Sequence, residues 1–477
     1  MNNFEVIIGI ENHVELKTKT KMFGPGPVSF GQTPNTQVSE VDLGYPGALP
    51  SVNQEGVRLA ILATHALNMK LDSLLIFDRK NYFYPDLVKG FQITQQFNPI
   101  GQEGWLEINL DGQASKKVMI QRLHLEEDTA QQKHNPNHTL IDYNRSGIGL
   151  IEIVTHPVLR SAQEAVAYVE KLRETLLFLG VSDVKMSEGS LRCDVNISLR
   201  PIGTEKYSHK VEVKNLNSLA NVKKAIEFEV QRQTALLVKN QMVEQETRRF
   251  DEQSQTTISM RSKADALDYR YFTEPNLAPI QLDQQWIAEV IATAPEMAGK
   301  KRQRYQEMGL SVETINTLMS SLALTNFFET TLELVNDPIK ISNYLTGEVM
   351  AFLNQENQEI DQIKLTPANL AAMIKLLNQG VISSKHAKTI LEMILVDDQK
   401  SPEVIVEELN LKLINDPKEI EALLTPIIAQ NQRVVAQYAL RPERVIKTLM
   451  GQLMKVTQGN VNPDLATQII LKLLTKA

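Results

Sequence analysis

The sequence predicts an α+β fold. A largely antiparallel sheet domain is expected over residues 1–293, followed by an all-α domain over 294–405 and a helical tail over 406–477. Segments that alternate apolar and charged residues with a period of two, the mark of half-buried strands, crowd the first half of the chain. Thirteen of the 22 glycines lie in the first 150 residues and only five after residue 300, so turn and strand signals fade as helix signals take over. Helix starts are explicit in the second half. Thr366-Pro367, Ser401-Pro402 and Asn462-Pro463 each place a capping side chain before a proline at the first helical position.

Taken in order, residues 4–16 (FEVIIGIENHVEL) alternate. Val6, Ile8, Ile10, Val14 and Leu16 share one face, and Glu11, His13 and Glu15 the other. Gly24, Pro25, Gly26 and Pro27 break regular structure, and the chain loops on to Tyr45-Pro46-Gly47. Residues 56–69 space Leu59, Leu62, Ala63, Ala66 and Met69 as an amphipathic helix. The segment DRKNYFYPD, 78–86, is too polar for a core strand and too aromatic for a plain loop. It reads either as a pocket wall or a contact between chains, or as a partly buried turn held by tyrosine hydroxyls.

Residues 121–128 (QRLHLEED) turn Leu123 and Leu125 one way and Arg122, His124, Glu126 and Asp128 the other. This is either a strand with one wet face or a cation or phosphate site. In 142–154 (DYNRSGIGLIEIV), Glu152 sits among Leu150, Ile151, Ile153 and Val154. A lone carboxylate there is costly, so Glu152 must be protonated, ion-paired or metal-bound. Adjacent strands of one sheet would gather Glu11, His13, Glu126 and Glu152.

A helix is expected from Ser161, with Glu164 completing a capping box and Gly180 closing it. Residues 191–200 (LRCDVNISLR) alternate strictly. Cys193 falls on the core face, as a small apolar residue rather than a nucleophile, and Arg192, Asp194, Asn196, Ser198 and Arg200 face away. Residues 210–214 alternate with Val211 and Val213 inside, and a long amphipathic helix follows to about Lys239. The segments QETRRFDE and DYRYFTEP either grip phosphate or nucleotide, or form surface ion pairs.

Composition excludes several classes. With 42% apolar and 22% charged residues the chain is an ordinary globular one. It has no run of about 18 apolar residues to span a membrane. The N-terminus lacks a basic region before a long apolar block, so no signal peptide is expected. One cysteine forbids an internal disulfide and fits a reducing cytoplasm. The net charge of −7 argues against a generic polyanion binder. From Gln430 onward, however, seven Lys or Arg stand against Glu443 and Asp464. That tail reads either as a phosphate-binding surface or as a basic helix face without a ligand. There is no GxxxxGK[ST] loop, no GxGxxG after a strand, and no cysteine or serine triad. Any phosphate chemistry therefore falls to carboxylates that hold magnesium.

An ordered series of segments, GIENHVELKTKTKMF, DLGYPGALP, DRKNYFYPD, RLHLEED, LRCDVNISLRP, KNLNS, QETRRFDE and MRSKADALDYRYF, resembles the B subunits of the tRNA-dependent amidotransferases. GVISSKHAK and MGQLMKVTQGNVNP continue the resemblance toward the end. It implies a glutamine-synthetase-like sheet that uses ATP to phosphorylate the side-chain carboxylate of Glu-tRNA(Gln) or Asp-tRNA(Asn). It also implies an amidase (glutaminase) partner, the A component, that supplies ammonia, a small C component, and tRNA binding by the helical region and tail. Site residues follow from the same resemblance. Metal ligands fall on Glu11, His13, Glu126 and Glu152, and catalytic roles on Glu126, Asp128, Asp194, Asn196 and Lys214. Cofactor contacts fall on Arg192, Asn215 and Arg270, and an ammonia path on Lys80 and Tyr82.

The chain departs from the pattern in places. Four zinc-binding cysteines common in the family match Gly24, Gly26, Ser39 and Asp42, so no zinc is expected. GTPLIEIV becomes GIGLIEIV at Ile148 and Gly149, AGK becomes Thr129-Ala130-Gln131, and the tail approach is Arg441-Pro442-Glu443-Arg444. The competing class is a non-catalytic tRNA-binding scaffold whose acidic cluster is merely structural.

Overall fold

The computed structural model describes residues 4–110, 112, 114–205, 207–262, 268–397 and 400–475. They form two compact units that divide between Lys300 and Lys301. The first is built on a nine-stranded sheet whose strands, in chain order, are β1 (Phe4–Glu15), β2 (Lys70–Leu71), β3 (Gly101–Ile108), β4 (Lys116–Glu127), β5 (Gly149–Thr155), β6 (Leu191–Pro201), β7 (Val211–Leu216), β8 (Glu246–Asp251) and β9 (Thr256–Ser262). Their order across the sheet is β9-β8-β7-β6-β1-β5-β4-β3-β2. Every pairing is antiparallel except β7 with β8. That parallel step needs a crossover, supplied by the helix Leu219–Val238.

The period-two residues sort as expected. Ile8, Ile10, Val14, Leu123, Leu125, Ile151, Ile153, Cys193, Val195, Val211 and Val213 point into one core and are essentially sealed from solvent. The helices Gln54–Ala66, Ala162–Phe178, Leu219–Val238 and Gln284–Ala292 contribute to that core. Ser161 caps its helix by accepting from the Glu164 backbone N–H at 3.1 Å, and Gly180 takes φ +68° just past the end. The capping box is altered in one respect. The Glu164 carboxylate accepts from the Arg160 backbone N–H at 2.8 Å and from Lys116 at 2.6 Å.

The aromatic segment after Phe77 opens as a strand, Asp78–Asn81, rather than a turn. It pairs with Phe91–Thr94 on one side and Phe272–Thr273 on the other, and the resulting small sheet closes over one end of β4.

The second unit is helical. Thr366, Ser401 and Asn462 each cap a helix that starts with proline, as the sequence predicts. Its last helices, Pro417–Gln430, Pro442–Val456 and Pro463–Leu474, close an apolar core of their own around Ile420, Leu424, Leu449, Leu453 and Ile470.

Candidate functional site

The face of the sheet opposite the apolar core carries the charged residues, and strand register sets them in rows. One row runs Arg192, His13, Glu152, His124 straight across β6, β1, β5 and β4. The next runs Asp194, Glu11, Val154, Arg122 across the same strands. Antiparallel pairing brings such residues to within side-chain reach without any loop.

The face is not wet. His124, Glu126, Asp128 and Glu152 are all buried, which removes the reading of QRLHLEED as a strand with one wet face. Glu152 is ion-paired between two histidines, with Oε2 3.4 Å from the Nε2 of both His13 and His124. His124 Nε2 also lies 3.7 Å from Glu126. Burial opposes the charge of Glu152, but His124 and His13 outweigh it and hold the carboxyl well below its usual range. Glu126 is pulled down to about 2, again against burial, by Lys80 and His124. His124 loses basicity to burial yet is raised to about 9 by Glu152 and Glu126. Donor atoms of His13, Glu126 and Glu152 lie within 4.8 Å of one another.

Glu11 stands apart from that group. The structure divides the expected quartet: Glu11 joins Asp194 and Glu212, again within 4.8 Å, in a second cluster two residues along β1. Lys214 donates to Asp194 at 2.6 Å and pairs with Glu212 at 2.9 Å, and the Asn196 amide donates to Glu11 at 2.9 Å. Three carboxylates face one ammonium. Burial, then Glu152 and Asp194, raise the Glu11 carboxyl. Burial works against the Lys214 charge, but Asp194 and Glu212 raise its pKa. Sequence reading missed Glu212. Its signal was present, because Val211 and Val213 face the core and so turn Glu212 and Lys214 toward the charged face.

Beyond the first cluster, Arg192 donates to Asp128 at 2.6 Å, and Arg145 lies 3.5 Å from the same carboxylate. Burial opposes the Asp128 charge, but Arg192 and Arg145 lower its pKa. Neighbouring Glu15 is pushed up to about 7 by burial and by Asp128.

Lys80 reaches this face from the small sheet. Its ammonium is 5.2 Å from the Tyr269 ring centre. Burial disfavours its charge, but Glu126 and Glu152 outweigh it and raise the pKa. The Tyr82 hydroxyl donates to Gln92 at 2.8 Å, and the Gln92 amide donates to Glu126 at 3.2 Å. Gln92 therefore links the aromatic segment to the carboxylate, a role no local pattern signals. The remaining two expected contacts lie outside the clusters. Asn215 is exposed at φ +63°, and Arg270 is exposed at φ +44° with its guanidinium 5.9 Å from the Phe83 ring.

The family comparison agrees with this architecture. Residues 6–288 match the GatB/GatE catalytic domain and residues 326–474 match the GatB domain. The chain belongs to the GatB family. It is 61% identical over 477 residues, all of both chains, to the B subunit of the aspartyl/glutamyl-tRNA(Asn/Gln) amidotransferase of Mycoplasma mycoides subsp. mycoides. Proteins of the same name from Mesoplasma florum and Bacillus cytotoxicus are 59% and 46% identical. Each match covers 99% of this chain, and 99% and 100% of the relative. The charged sheet face lies wholly within the GatB/GatE catalytic domain.

The GatB departures have visible local causes. Gly24, Gly26, Ser39 and Asp42 do converge, with Asp42 accepting from the Ser39 N–H and hydroxyl at 2.8 Å. A side chain at Gly26 would strike Asp42 at 2.3 Å. This donor set of one carboxylate and one hydroxyl does not fit the thiolates of a structural zinc site. Gly149 packs against Met22, whose sulfur would sit 3.3 Å from an added Cβ. Gln131 is exposed, while the Arg145 guanidinium donates to the carbonyls of Thr129 and Ala130.

Proposed function

We propose that this chain activates the side-chain carboxylate of Glu-tRNA(Gln) or Asp-tRNA(Asn) by ATP-dependent phosphorylation and then exchanges the phosphate for ammonia. The observation that carries this reading is the pair of three-donor clusters on one charged sheet face. A carboxylate is a poor acceptor for ammonia, and an acyl phosphate has a leaving group. Phosphoryl transfer asks for charge neutralisation and alignment more than for a protein nucleophile, and neither cluster contains a thiol or a hydroxyl.

The donor sets fit hard divalent cations, because five of the six donors are carboxylates. His13, Glu126 and Glu152 would hold one magnesium ion, and Glu11, Asp194 and Glu212 a second. Bound there, magnesium neutralises phosphate charge and orients the transferring group. His124 keeps Glu152 and Glu126 ionised. Lys214 and Asn196 position the second cluster, and Arg192 orients Asp128. Lys80, Tyr82 and Gln92 line the approach to Glu126 that ammonia would take.

The ammonia comes from an amidase (glutaminase) partner, the A component, held by a small C component, in the cytoplasm. Among the described residues no helix is long and apolar enough to cross a membrane. Residues 294–405 form a helical domain, and 406–477 a tail that binds the tRNA. The separate apolar core of the last helices supports the tail as a unit of its own. Deleting residues from Asp416 onward should weaken tRNA binding. It should also reduce the salt slope of binding by roughly 0.7–0.9 for each phosphate the shortened chain no longer neutralises.

The deciding experiment assembles the heterotrimer and measures ATP hydrolysis and amide formation with each charged tRNA. Hydrolysis that depends on the charged tRNA is expected. A complex that binds charged tRNA but never hydrolyses ATP would leave only a scaffold.

A further inference from the structure

A cavity of about 560 Å³ opens at the end of β1, past the first cluster. Its size is that of a small-molecule site. Glu15, Asp142, Asp183 and Glu188 stand on its walls, with Lys17 and Arg145. None of the six donors of the two clusters lines it.

Three of these four carboxylates are already partnered. Asp183 accepts from Lys17 at 2.6 Å, and Glu188 from Lys185 at 3.0 Å. Asp142 accepts from the backbone N–H of Asn35 and of Asn144, each at 3.0 Å. Glu15 differs. It is half-buried, and its carboxylate has no hydrogen bond and no ion pair among the described residues. The cations around it are committed elsewhere. Arg192 and Arg145 both hold Asp128, and the buried Lys21 ammonium donates to the carbonyls of Asn144 and Ser146. A carboxylate left open at a cavity suits a cation that arrives with a ligand. A divalent metal fits poorly, because such an ion takes several oxygens and Glu15 joins no three-donor group among the described residues. One carboxylate alone suits an ammonium.

Strand register adds a distance. Glu15 follows His13 on the same face of β1, and the row from Glu15 across Leu150 ends on Glu126. Two residues of strand advance about 7 Å. In an extended glutamyl group the α-nitrogen lies about 5 Å from the side-chain carboxylate carbon, given bonds of about 1.5 Å. One amino acid therefore spans the step from Glu15 to the first cluster. In an aminoacyl ester the α-carboxyl is tied to the ribose, so the α-ammonium is the one cation the amino acid still carries.

We propose that Glu15 binds the free α-ammonium of the tRNA-bound amino acid. The side-chain carboxylate is then turned toward the first cluster, and the cavity takes the ribose end. The assignment rests on the phosphoryl-transfer reading above and adds a determinant of specificity to it. An aminoacyl group blocked on its nitrogen has no ammonium to offer Glu15, and its neutral amide leaves the carboxylate unpaired.

The test uses the assembled complex, driven by ammonium, ATP and magnesium, with charged tRNA and its N-acetylated form as substrates. The wild-type complex should use the acetylated form about tenfold less well or worse, read as kcat/KM. Glu15→Gln should raise the KM for charged tRNA about tenfold and leave the KM for ATP within about twofold. It should also narrow the preference for the free amine to within about twofold. Glu15→Asp keeps the charge and should restore most of that preference. Glu188→Gln removes a charge from the same cavity and should change none of these values. A wild-type complex that amidates both forms equally overturns the proposal, and that result needs no variant to fold. So does a folded Glu15→Gln complex that keeps the full preference, or one whose KM rises for ATP alone. The two readings fail separately. A Glu126→Ala complex active at wild-type rate sinks phosphoryl transfer at this face. An inactive Glu126→Ala complex, together with a wild-type complex indifferent to acetylation, sinks only the role of Glu15.

Discussion

The two faces of the nine-stranded sheet are made from the same strands, residue by residue in alternation, and they do opposite things. On β6, Cys193, Val195 and Ile197 enter the core while Arg192, Asp194 and Asn196 build the site. On β4, Leu123 and Leu125 are sealed at 0% exposure, and His124 and Glu126 on the other face at 2%. Burial alone therefore does not separate the faces. What separates them is how burial is balanced. The apolar face gains from leaving water, whereas the charged face must balance each carboxylate with a histidine, lysine or arginine. Substitutions on one face should damage chemistry, and on the other face stability.

The sharpest separation is expected at Glu126. Glu126→Ala should remove several kcal/mol of transition-state stabilisation and slow amide formation on the order of a hundredfold or more. The loss must be read per folded molecule, because Lys80 and His124 also lose a buried counter-charge and stability falls with it. Glutaminase activity in the proposed amidase partner should survive. Amidation near the wild-type rate would break the comparison at once. One residue away, Leu125→Ala should do the reverse. Truncating a fully buried leucine costs roughly 2–5 kcal/mol of stability. Amide formation per folded molecule, measured at low temperature, should stay close to wild type.

This division was legible where local sequence contradicts itself. Glu152 announced a partner because a carboxylate inside LIEIV cannot stand alone, and its two histidines bear that out. Glu11, His13, Glu126 and Asp194 were legible from alternation. What sequence could not show was register. It takes the actual pairing of β1 with β6 to assign Glu11 to Asp194 and Glu212 rather than to His13. Gln92 was invisible for a related reason. Its value lies in reaching Glu126 across 34 residues of chain, and nothing in FQIT looks unusual. The strand at Asp78–Asn81 owes its form to partners at 91–94 and 272–273, which outweigh its polar composition.

Glu229 tests the rule about balance away from the site. This carboxylate is fully buried on the helix Leu219–Val238. It accepts from Arg232 at 2.9 Å, from Gln233 at 3.0 Å and from the Thr257 hydroxyl at 2.5 Å, and Arg248 lies 3.3 Å away. Burial opposes its charge, but Arg232, Thr257 and Gln233 outweigh it and lower its pKa. A depressed carboxyl stabilises the fold fully above its unfolded value, and the benefit disappears as pH falls through the folded value. Glu229→Gln should therefore cost about 1–3 kcal/mol at neutral pH. The difference from wild type should shrink as pH drops below the ordinary carboxylate range. A pH-independent difference would show that the lost energy is packing rather than charge.

The smallest effect is expected at the one residue that invites a catalytic reading by its chemistry alone. Cys193 lies between Arg192 and Asp194 in sequence but on the other face, 1% exposed, in the apolar core. Burial, reinforced by the negative charge of Asp194, pushes its thiol well above the usual range, so the reactive thiolate is suppressed. Cys193→Ala should leave ammonium-driven amide formation unchanged and lower stability by about 1 kcal/mol. The native chain should resist alkylation until it unfolds. Given glutamine without any other subunit, the folded chain should release no glutamate above background. Glutamate release that disappears in Cys193→Ala would mean that chemistry reaches through the sheet to its apolar side. The contrast between the faces would then fail at the strand where it is drawn most closely, because a single step along β6 would no longer separate a reacting group from a packing one.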